Sequence, residues 1–257
     1  MEIYEPKGRA REYSPLALNY YKGCTHGCVY CYVPKMIGRF DVNYDHSKVI
    51  TSVDFKRLEN SAKRMQGCDK QILLSFTGDP YCGIEPVVTT RVLEILNYYN
   101  HKVAILTKGG KRAIADIELI KKFGDRIKIG ATLTFDNNND SIKWEPGAEM
   151  PSDRIEALKT FAEYGIKTWV SFEPVIIPEQ SLNLLKQVCS FVDHVKIGKI
   201  NNFNGIDKKI DWGRFIFESV QVCRNNDLKF YIKKDLQAYN NGVYLSRDEI
   251  DEDYLNL

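Results

Sequence analysis

The run Gly23-Cys24-Thr25-His26-Gly27-Cys28-Val29-Tyr30-Cys31-Tyr32 places three cysteines in one short loop, spaced C-x3-C-x2-C, with a tyrosine on each side of the last. Thiolates this close together can converge on a single soft-metal centre, and sulfur ligands select iron–sulfur clusters, zinc or copper(I). A cuboidal iron–sulfur cluster ordinarily takes four thiolates, so three would leave one iron open to another ligand.

Other readings compete for these cysteines. A Cys3His zinc site would recruit His26, and the chain would then be a non-enzymatic zinc-binding scaffold. Structural zinc ligands usually come as two separated pairs, however, and no second pair follows. Disulfides are disfavoured by seven cysteines, by the lack of a secretory signal and by a Lys/Glu-rich composition suited to a reducing cytoplasm. Inert buried thiols would not need the interleaved glycines Gly23 and Gly27.

Working outward, the 257 residues are enough for one α/β domain with a large core. Hydrophobic content of 44% and charged content of 27% describe an ordinary globular chain. No apolar stretch is long enough to span a bilayer. A net charge of +2 does not by itself argue for nucleic acid.

Short apolar runs alternate with amphipathic ones. Strands are expected at Leu16–Tyr21, Ile72–Thr77, Val103–Thr107, Ile127–Thr134, Lys167–Phe172, His194–Gly198 and Leu228–Ile232. Helices are expected at Phe55–Met65, Val87–Tyr99, Arg112–Phe123, Arg154–Tyr164, Ser181–Phe191 and Trp212–Asn225. Ser152 is read as the N-cap of the fourth helix, Gly124 and Gly165 as C′ glycines, and 136–140 as a loop. Continuous apolar strands separated by helices imply a parallel sheet covered on both faces. That pattern alone admits either a barrel or a doubly wound sheet.

The cysteine run, with Tyr30 in its aromatic slot, resembles the signature of radical S-adenosylmethionine (SAM) enzymes. The resemblance implies a partial (β/α)6 TIM-like barrel of the radical SAM type. It also implies a 4Fe–4S cluster on Cys24, Cys28 and Cys31, with SAM on the fourth iron. One electron from a flavodoxin- or ferredoxin-like reductant would split SAM, and the resulting 5′-deoxyadenosyl radical would abstract hydrogen from a substrate. The whole chain, 1–257, is read as one domain with its core over about 16–200. A C-terminal helix, strand and tail then occupy 201–257, the tail 237–257 being acidic and without a legible pattern.

In such barrels the active site lies at the C-terminal ends of the strands. That rule singles out Thr77, Gly78 and Asp79, then Lys108 beside Thr107, then Thr134 with Thr132, then Ser171 and Glu173, and lastly Lys196 and Lys199. Gly78 permits close backbone approach, and Lys108 can pair with a carboxylate. Arg154 opens a helix, where a cation gains nothing from the dipole, and is therefore added as a candidate ligand. Tyr30, Thr77, Gly78, Asp79, Lys108, Thr134, Ser171, Glu173 and Arg154 form the expected cofactor-binding set.

The segments Tyr20-Tyr21-Lys22-Gly23-Cys24, Thr77-Gly78-Asp79-Pro80-Tyr81, Ile105-Leu106-Thr107-Lys108, Glu145-Pro146-Gly147 and Phe172-Glu173-Pro174-Val175 are similar to the spore photoproduct lyase-like, or DNA repair photolyase-like, branch. They run in order from about Asn19 to Lys199. Those lyases carry a hydrogen-donating cysteine at the end of the second strand, where this chain has Phe76. Cys82, nearby, is the alternative catalytic donor, and its competing reading is a small packed thiol. Nucleic acid or a nucleotide is the candidate substrate, on Tyr20, Tyr21, Tyr32 and Tyr81 with Lys35, Arg39, Lys208, Lys209, Lys233 and Lys234. Tyr32, Tyr81 and Lys199 are expected beside it. A peptide, sugar or small metabolite is the alternative.

Overall fold

The computed structural model describes residues 2–83, 86–201, 203 and 205–257. In chain order the strands are β1 (Leu16–Leu18), β2 (Tyr21–Lys22), β3 (Ile50–Thr51), β4 (Ile72–Leu74), β5 (Val103–Thr107), β6 (Ile127–Thr132), β7 (Lys167–Val175), β8 (His194–Lys199) and β9 (Lys229–Ile232). The helices are α1 (Val33–Ile37), α2 (Phe55–Arg64), α3 (Val87–Tyr98), α4 (Ile117–Lys121), α5 (Asn138–Trp144), α6 (Pro151–Glu163), α7 (Pro178–Val188), α8 (Trp212–Asn225), α9 (Lys234–Gln237) and α10 (Arg247–Ile250).

Seven of the strands form one sheet in the order β1-β4-β5-β6-β7-β8-β9, every pair parallel, so each strand lies beside its successor in the chain. This is the expected partial barrel. Period-two alternation sorts its side chains. Ile72 and Leu74, Val103 and Ile105, and Ile127 and Ile129 face the outer core with α2, α3 and α6. Val170, Phe172, Val195 and Ile197 do the same with α7 and α8. The intervening residues Leu73, Ala104 and Trp169 meet inside with Tyr13, Phe76 and Leu106. Gly130 makes room for the indole: a Cβ there would sit 2.5 Å from Trp169 Nε1, which donates instead to Ile105 O at 3.0 Å.

β1 and β9 are the two edges, so the barrel is open. Residues 4–14 span the gap. Tyr4 bridges antiparallel to Ala17, and the Glu12 carboxylate accepts from Tyr231 OH at 2.8 Å and Lys234 N at 2.7 Å. The tail, illegible in the sequence, seals the same end. Arg11 forks onto Asp253 with two 2.7 Å hydrogen bonds, Gln71 meets Asn256 at 2.8 Å, and Lys128 Nζ donates to Leu255 O.

Several local expectations are corrected. The first strand stops at Leu18, and Tyr21–Lys22 pairs instead with Ile50–Thr51. The second ends at Leu74, because Ser75 turns to φ 60°. The fourth helix begins at Pro151 after Met150, not at Ser152, since proline suits the first helical position. Within the expected loop 136–140, residues 138–140 instead open α5, capped by Asn137 accepting from Asp140 N at 3.0 Å. Gly124 and Gly165 do carry the positive φ of C′ positions.

Candidate functional site

The cysteine loop leaves β2 and is gripped from two sides. Cys24 N donates to His46 O at 2.7 Å, Val29 N to Trp144 O at 2.9 Å, and Gly147 N to His26 O at 2.8 Å. Three glycines make these approaches possible. A Cβ on Gly23 would lie 2.1 Å from Lys48 O, one on Gly147 2.1 Å from Thr25 O, and one on Gly78 2.8 Å from Gly23 O. Gly78, expected to let backbone approach a cofactor, thus first lets the second strand end approach the cysteine loop.

Cys24, Cys28 and Cys31 are partly exposed and unpaired. Burial pushes the Cys28 thiol up to about 11, with Lys108 opposing and Glu145 adding to the rise. Burial likewise raises Cys31, against the Val33 amide and Lys108. Among the described residues no three His, Cys, Asp or Glu side chains gather at one metal-binding point. Three thiolates on one loop are nevertheless the donor set of a 4Fe–4S cluster, each taking a different iron. His26 does not complete a zinc site. Its Nδ1 meets Gly147 O at 3.1 Å, and its Nε2 lies 3.2 Å from Asp79 Oδ2, off the angle of a hydrogen bond.

Asp79, expected to bind cofactor, is committed within the protein. It accepts from Tyr81 N (2.8 Å), Thr107 Oγ1 (2.5 Å) and Lys108 N (2.8 Å). Burial alone would raise its carboxyl, but His26 and these donors hold it below the usual range. The carboxylate therefore fixes the ends of β4 and β5 against each other. Thr77 Oγ1 is similarly tied to Tyr21 O at 3.0 Å.

Lys108 is the exception. Its ammonium lies 5.6 Å from the centre of the Tyr30 ring and forms no ion pair among the described residues. Beneath it, the Tyr30 hydroxyl donates to Glu145 Oε1 and stands 3.4 Å from Thr134 Oγ1. Glu145, fully buried and absent from the sequence-based set, pairs with Arg154 Nη2 at 2.6 Å. Burial would raise Glu145, yet Arg154, Lys108 and Tyr30 hold it down. Arg154 is itself fully buried, and its other nitrogens donate to Thr132 O (2.9 Å) and Glu149 O (2.7 Å). It supports Glu145 and offers no free edge to a ligand, which corrects its place among the candidate ligands. The Glu145-Pro146-Gly147 motif was the available signal for Glu145, since it sits where the cysteine loop docks.

Ser171 and Glu173 belong to a second cluster inside the barrel. Tyr13 OH lies 3.0 Å from Ser171 Oγ and donates to Glu173, which also receives Lys233 Nζ at 2.5 Å. Gly198 leaves space for this pair, as a Cβ there would meet Lys233 Cδ at 2.8 Å. Lys196 is buried and donates to Glu12 O at 2.6 Å. Lys199 points elsewhere, 3.8 Å from Asp207 and over the rings of Trp212 and Tyr239. Cys82 is fully buried beside Cys24.

The aromatic set expected to contact substrate shrinks. Tyr20, Tyr21 and Tyr81 are core residues, Tyr81 donating to Asp116 at 2.9 Å. Packing against α3 takes them out of reach of any ligand, and Lys233 is buried with Glu173 rather than adding surface charge. Tyr32 alone of the four tyrosines is exposed.

An open parallel barrel with a three-cysteine loop after its first strand defines a cluster-binding α/β architecture. The family profile of the radical SAM superfamily matches residues 18–192. The chain belongs to the radical SAM superfamily, whose members use a 4Fe–4S cluster and SAM. It is 30% identical over 161 residues to the uncharacterized protein MJ0683 of Methanocaldococcus jannaschii, covering 62% of this chain and 60% of that one. It is 25% identical over 174 residues to the uncharacterized protein ORF301 of Acidianus two-tailed virus, covering 64% and 57%. The matches thus span about three fifths of the length of these relatives. Among solved structures, a spore photoproduct lyase variant with bound AdoMet and dinucleoside spore photoproduct superposes with a TM-score of 0.67 at 12% identity, covering 90% of this chain and 78% of that one. Streptococcus suis SuiB bound to S-adenosylmethionine superposes with a TM-score of 0.67 at 16% identity, covering 93% and 55%. At these identities the likeness is one of fold. None of the described helices is long and apolar enough to cross a membrane.

Proposed function

We propose that this protein reductively cleaves S-adenosylmethionine and directs the resulting hydrogen abstraction at a substrate held in the barrel mouth. The observation that carries the reading is the cysteine loop pinned beside an ammonium, Lys108, that has no ion pair among the described residues. Cys24, Cys28 and Cys31 would hold the cluster. When bound, the cluster and SAM supply one-electron cleavage of the sulfonium to methionine and a hydrogen-abstracting 5′-deoxyadenosyl group.

The chain's own residues bind and orient. Lys108 is placed to pair with the SAM carboxylate, as a compact point charge beside the loop. The Tyr30 ring packs under that ammonium, and Glu145 with Arg154 fixes the ring's hydroxyl. The segment Thr77-Gly78, held by Asn19 and Tyr21, offers backbone to the SAM amino group. Thr134 acts through Tyr30, while Ser171 and Glu173, expected beside SAM, bond to Tyr13 and Lys233 inside the barrel. Holding reactants in fixed relation within a walled site supplies proximity and excludes water. Cys82 lies against a cluster ligand, which supports the packing role over hydrogen donation.

The substrate we propose is a nucleic acid or nucleotide. Exposed Tyr32, with Lys35 and Arg39 on the same surface segment, supports it, because aromatics beside cations suit stacked bases and phosphates. The electron enters from a flavodoxin- or ferredoxin-like donor, and the cluster's oxygen sensitivity fits a reducing cytoplasm.

The test is anaerobic reconstitution with iron, sulfide, SAM and dithionite. 5′-Deoxyadenosine should form, and none should form with Cys24, Cys28 and Cys31 all replaced by alanine. Absence of 5′-deoxyadenosine from a reduced, fully loaded wild-type protein would remove the enzymatic reading. For the substrate, fluorescent single-stranded DNA should bind in a salt-dependent way that Tyr32→Ala and Lys35→Ala weaken. Salt-independent or variant-independent binding turns the choice toward the peptide, sugar or metabolite class.

A further inference from the structure

Of the four histidines, His26 faces Asp79, and His101 and His194 are buried in the body of the protein. His46 stands apart. Its Nε2 lies 3.6 Å from Cys31 Sγ and its Nδ1 2.8 Å from the Tyr44 hydroxyl. The same short segment also holds the start of the loop, through Cys24 N donating to His46 O at 2.7 Å and Gly23 seated against Lys48 O. Residues 44–48 therefore touch the loop at its first and last cysteines. Nothing in the cysteine spacing points to this.

We propose that His46 is a positioning residue of the cluster, donating its Nε2–H to the Cys31 sulfur and thereby raising the reduction potential of the centre. The inference rests on the reading of Cys24, Cys28 and Cys31 as cluster ligands. The proton assignment follows from chemistry. An iron-bound thiolate has no S–H and can only accept, so the ring nitrogen facing it must carry the hydrogen. In the neutral ring the other nitrogen, Nδ1, then accepts from Tyr44 OH. That hydrogen bond locks the tautomer, as outer partners do for metal-bound ligands. Hydrogen bonds to cluster sulfurs favour the more electron-rich, reduced state, and they are one of the levers on cluster potential. The contact also adds a side-chain anchor at Cys31 itself, beside those that Tyr30 and His26 make elsewhere in the loop.

The experiment compares wild type with His46→Ala, His46→Gln and Tyr44→Phe. Each is reconstituted anaerobically without SAM, assayed for iron and sulfide, and titrated with reductant under EPR detection. His46→Ala should hold the cluster but reduce less readily, by about tenfold in the reduced-to-oxidised ratio, which is ~59 mV for a one-electron couple. Tyr44→Phe should shift the same way by less, because the freed ring can move its proton to Nδ1. His46→Gln keeps an N–H donor and should stay nearer wild type. Loaded His46→Ala and Tyr44→Phe proteins at the wild-type potential overturn the inference. Should His46→Ala take up no iron, Tyr44→Phe decides: a negative shift supports the inference and the wild-type potential overturns it. A wild-type protein that takes up no iron overturns instead the reading of the three cysteines.

Discussion

Side chains around the cysteine loop divide by whether their polar atoms are already engaged. Asp79 and Arg154 are saturated by protein partners, so both act on geometry. Lys108 keeps its ammonium available beside Tyr30. Lys108→Ala should therefore weaken SAM binding by roughly ten- to a hundredfold, the ~1.5–3 kcal/mol of a charge-assisted contact, while iron content stays unchanged. Calorimetry on the loaded protein checks it, and equal affinity strikes Lys108 from the site. Arg154→Met should instead destabilise the fold. It leaves Glu145 buried without its partner, at a cost of about 3–5 kcal/mol in a denaturant titration. A variant as stable as wild type would mean that Glu145 finds other donors.

At the scale of elements, the site is a junction of loops meeting at glycines. Gly78 brings the segment after β4 against Gly23, and Gly147 brings the segment after α5 against Thr25. Gly147→Ala places a methyl 2.1 Å from Thr25 O, a backbone atom with little freedom to retreat. The expected result is a loss of about 1–3 kcal/mol and poor cluster assembly, read as iron bound per chain. Gly124→Ala is the control, as a Cβ there meets nothing within 4 Å. It should keep full iron and lose only the strain of its φ of 58°. Equal iron uptake by the two variants would count against the glycine-seated loop.

For the whole molecule, the notable investment is ionisable groups inside the open barrel. Lys128, Lys196, Lys233 and Glu12 are all buried where the N-terminal segment and the tail close the gap between β1 and β9. Burial, reinforced by Lys233, lowers the Lys196 ammonium to about 7 from its ordinary 10.5. Below pH 7 the folded state carries the full penalty of a buried charge. Between about 7 and 10.5 the unfolded chain binds the extra proton, so this group's contribution to stability rises with pH across that window. Lys196→Met removes the effect. Its stability relative to wild type should be best near pH 6 and decline steadily toward pH 10, as measured by denaturant unfolding. A pH-independent difference would show that Lys196 stays charged in the fold.

The cysteine spacing and the succession of apolar runs determined the superfamily and the parallel order of the strands. Both depend on local signals: thiols a few residues apart share a centre, and continuous apolar strands must be buried on both faces. That the segments after the strands gather at one face was legible too, because the barrel's geometry puts them there, although β1 and β4 stop short of their expected ends. What each strand-end residue does there was decided only by tertiary packing. Asp79 is held by three donors from two segments, Arg154 answers a glutamate nine residues back, and Tyr81 turns into the core. His46 comes to the loop from fifteen residues beyond Cys31 with no spacing signal, and Glu145 from far along the chain with only its Pro146-Gly147 motif to mark it. The tail was unreadable for the same reason. Its partners, Arg11, Gln71 and Lys128, lie far away in sequence, and side-chain hydrogen bonds over such separations leave no pattern in the chain itself.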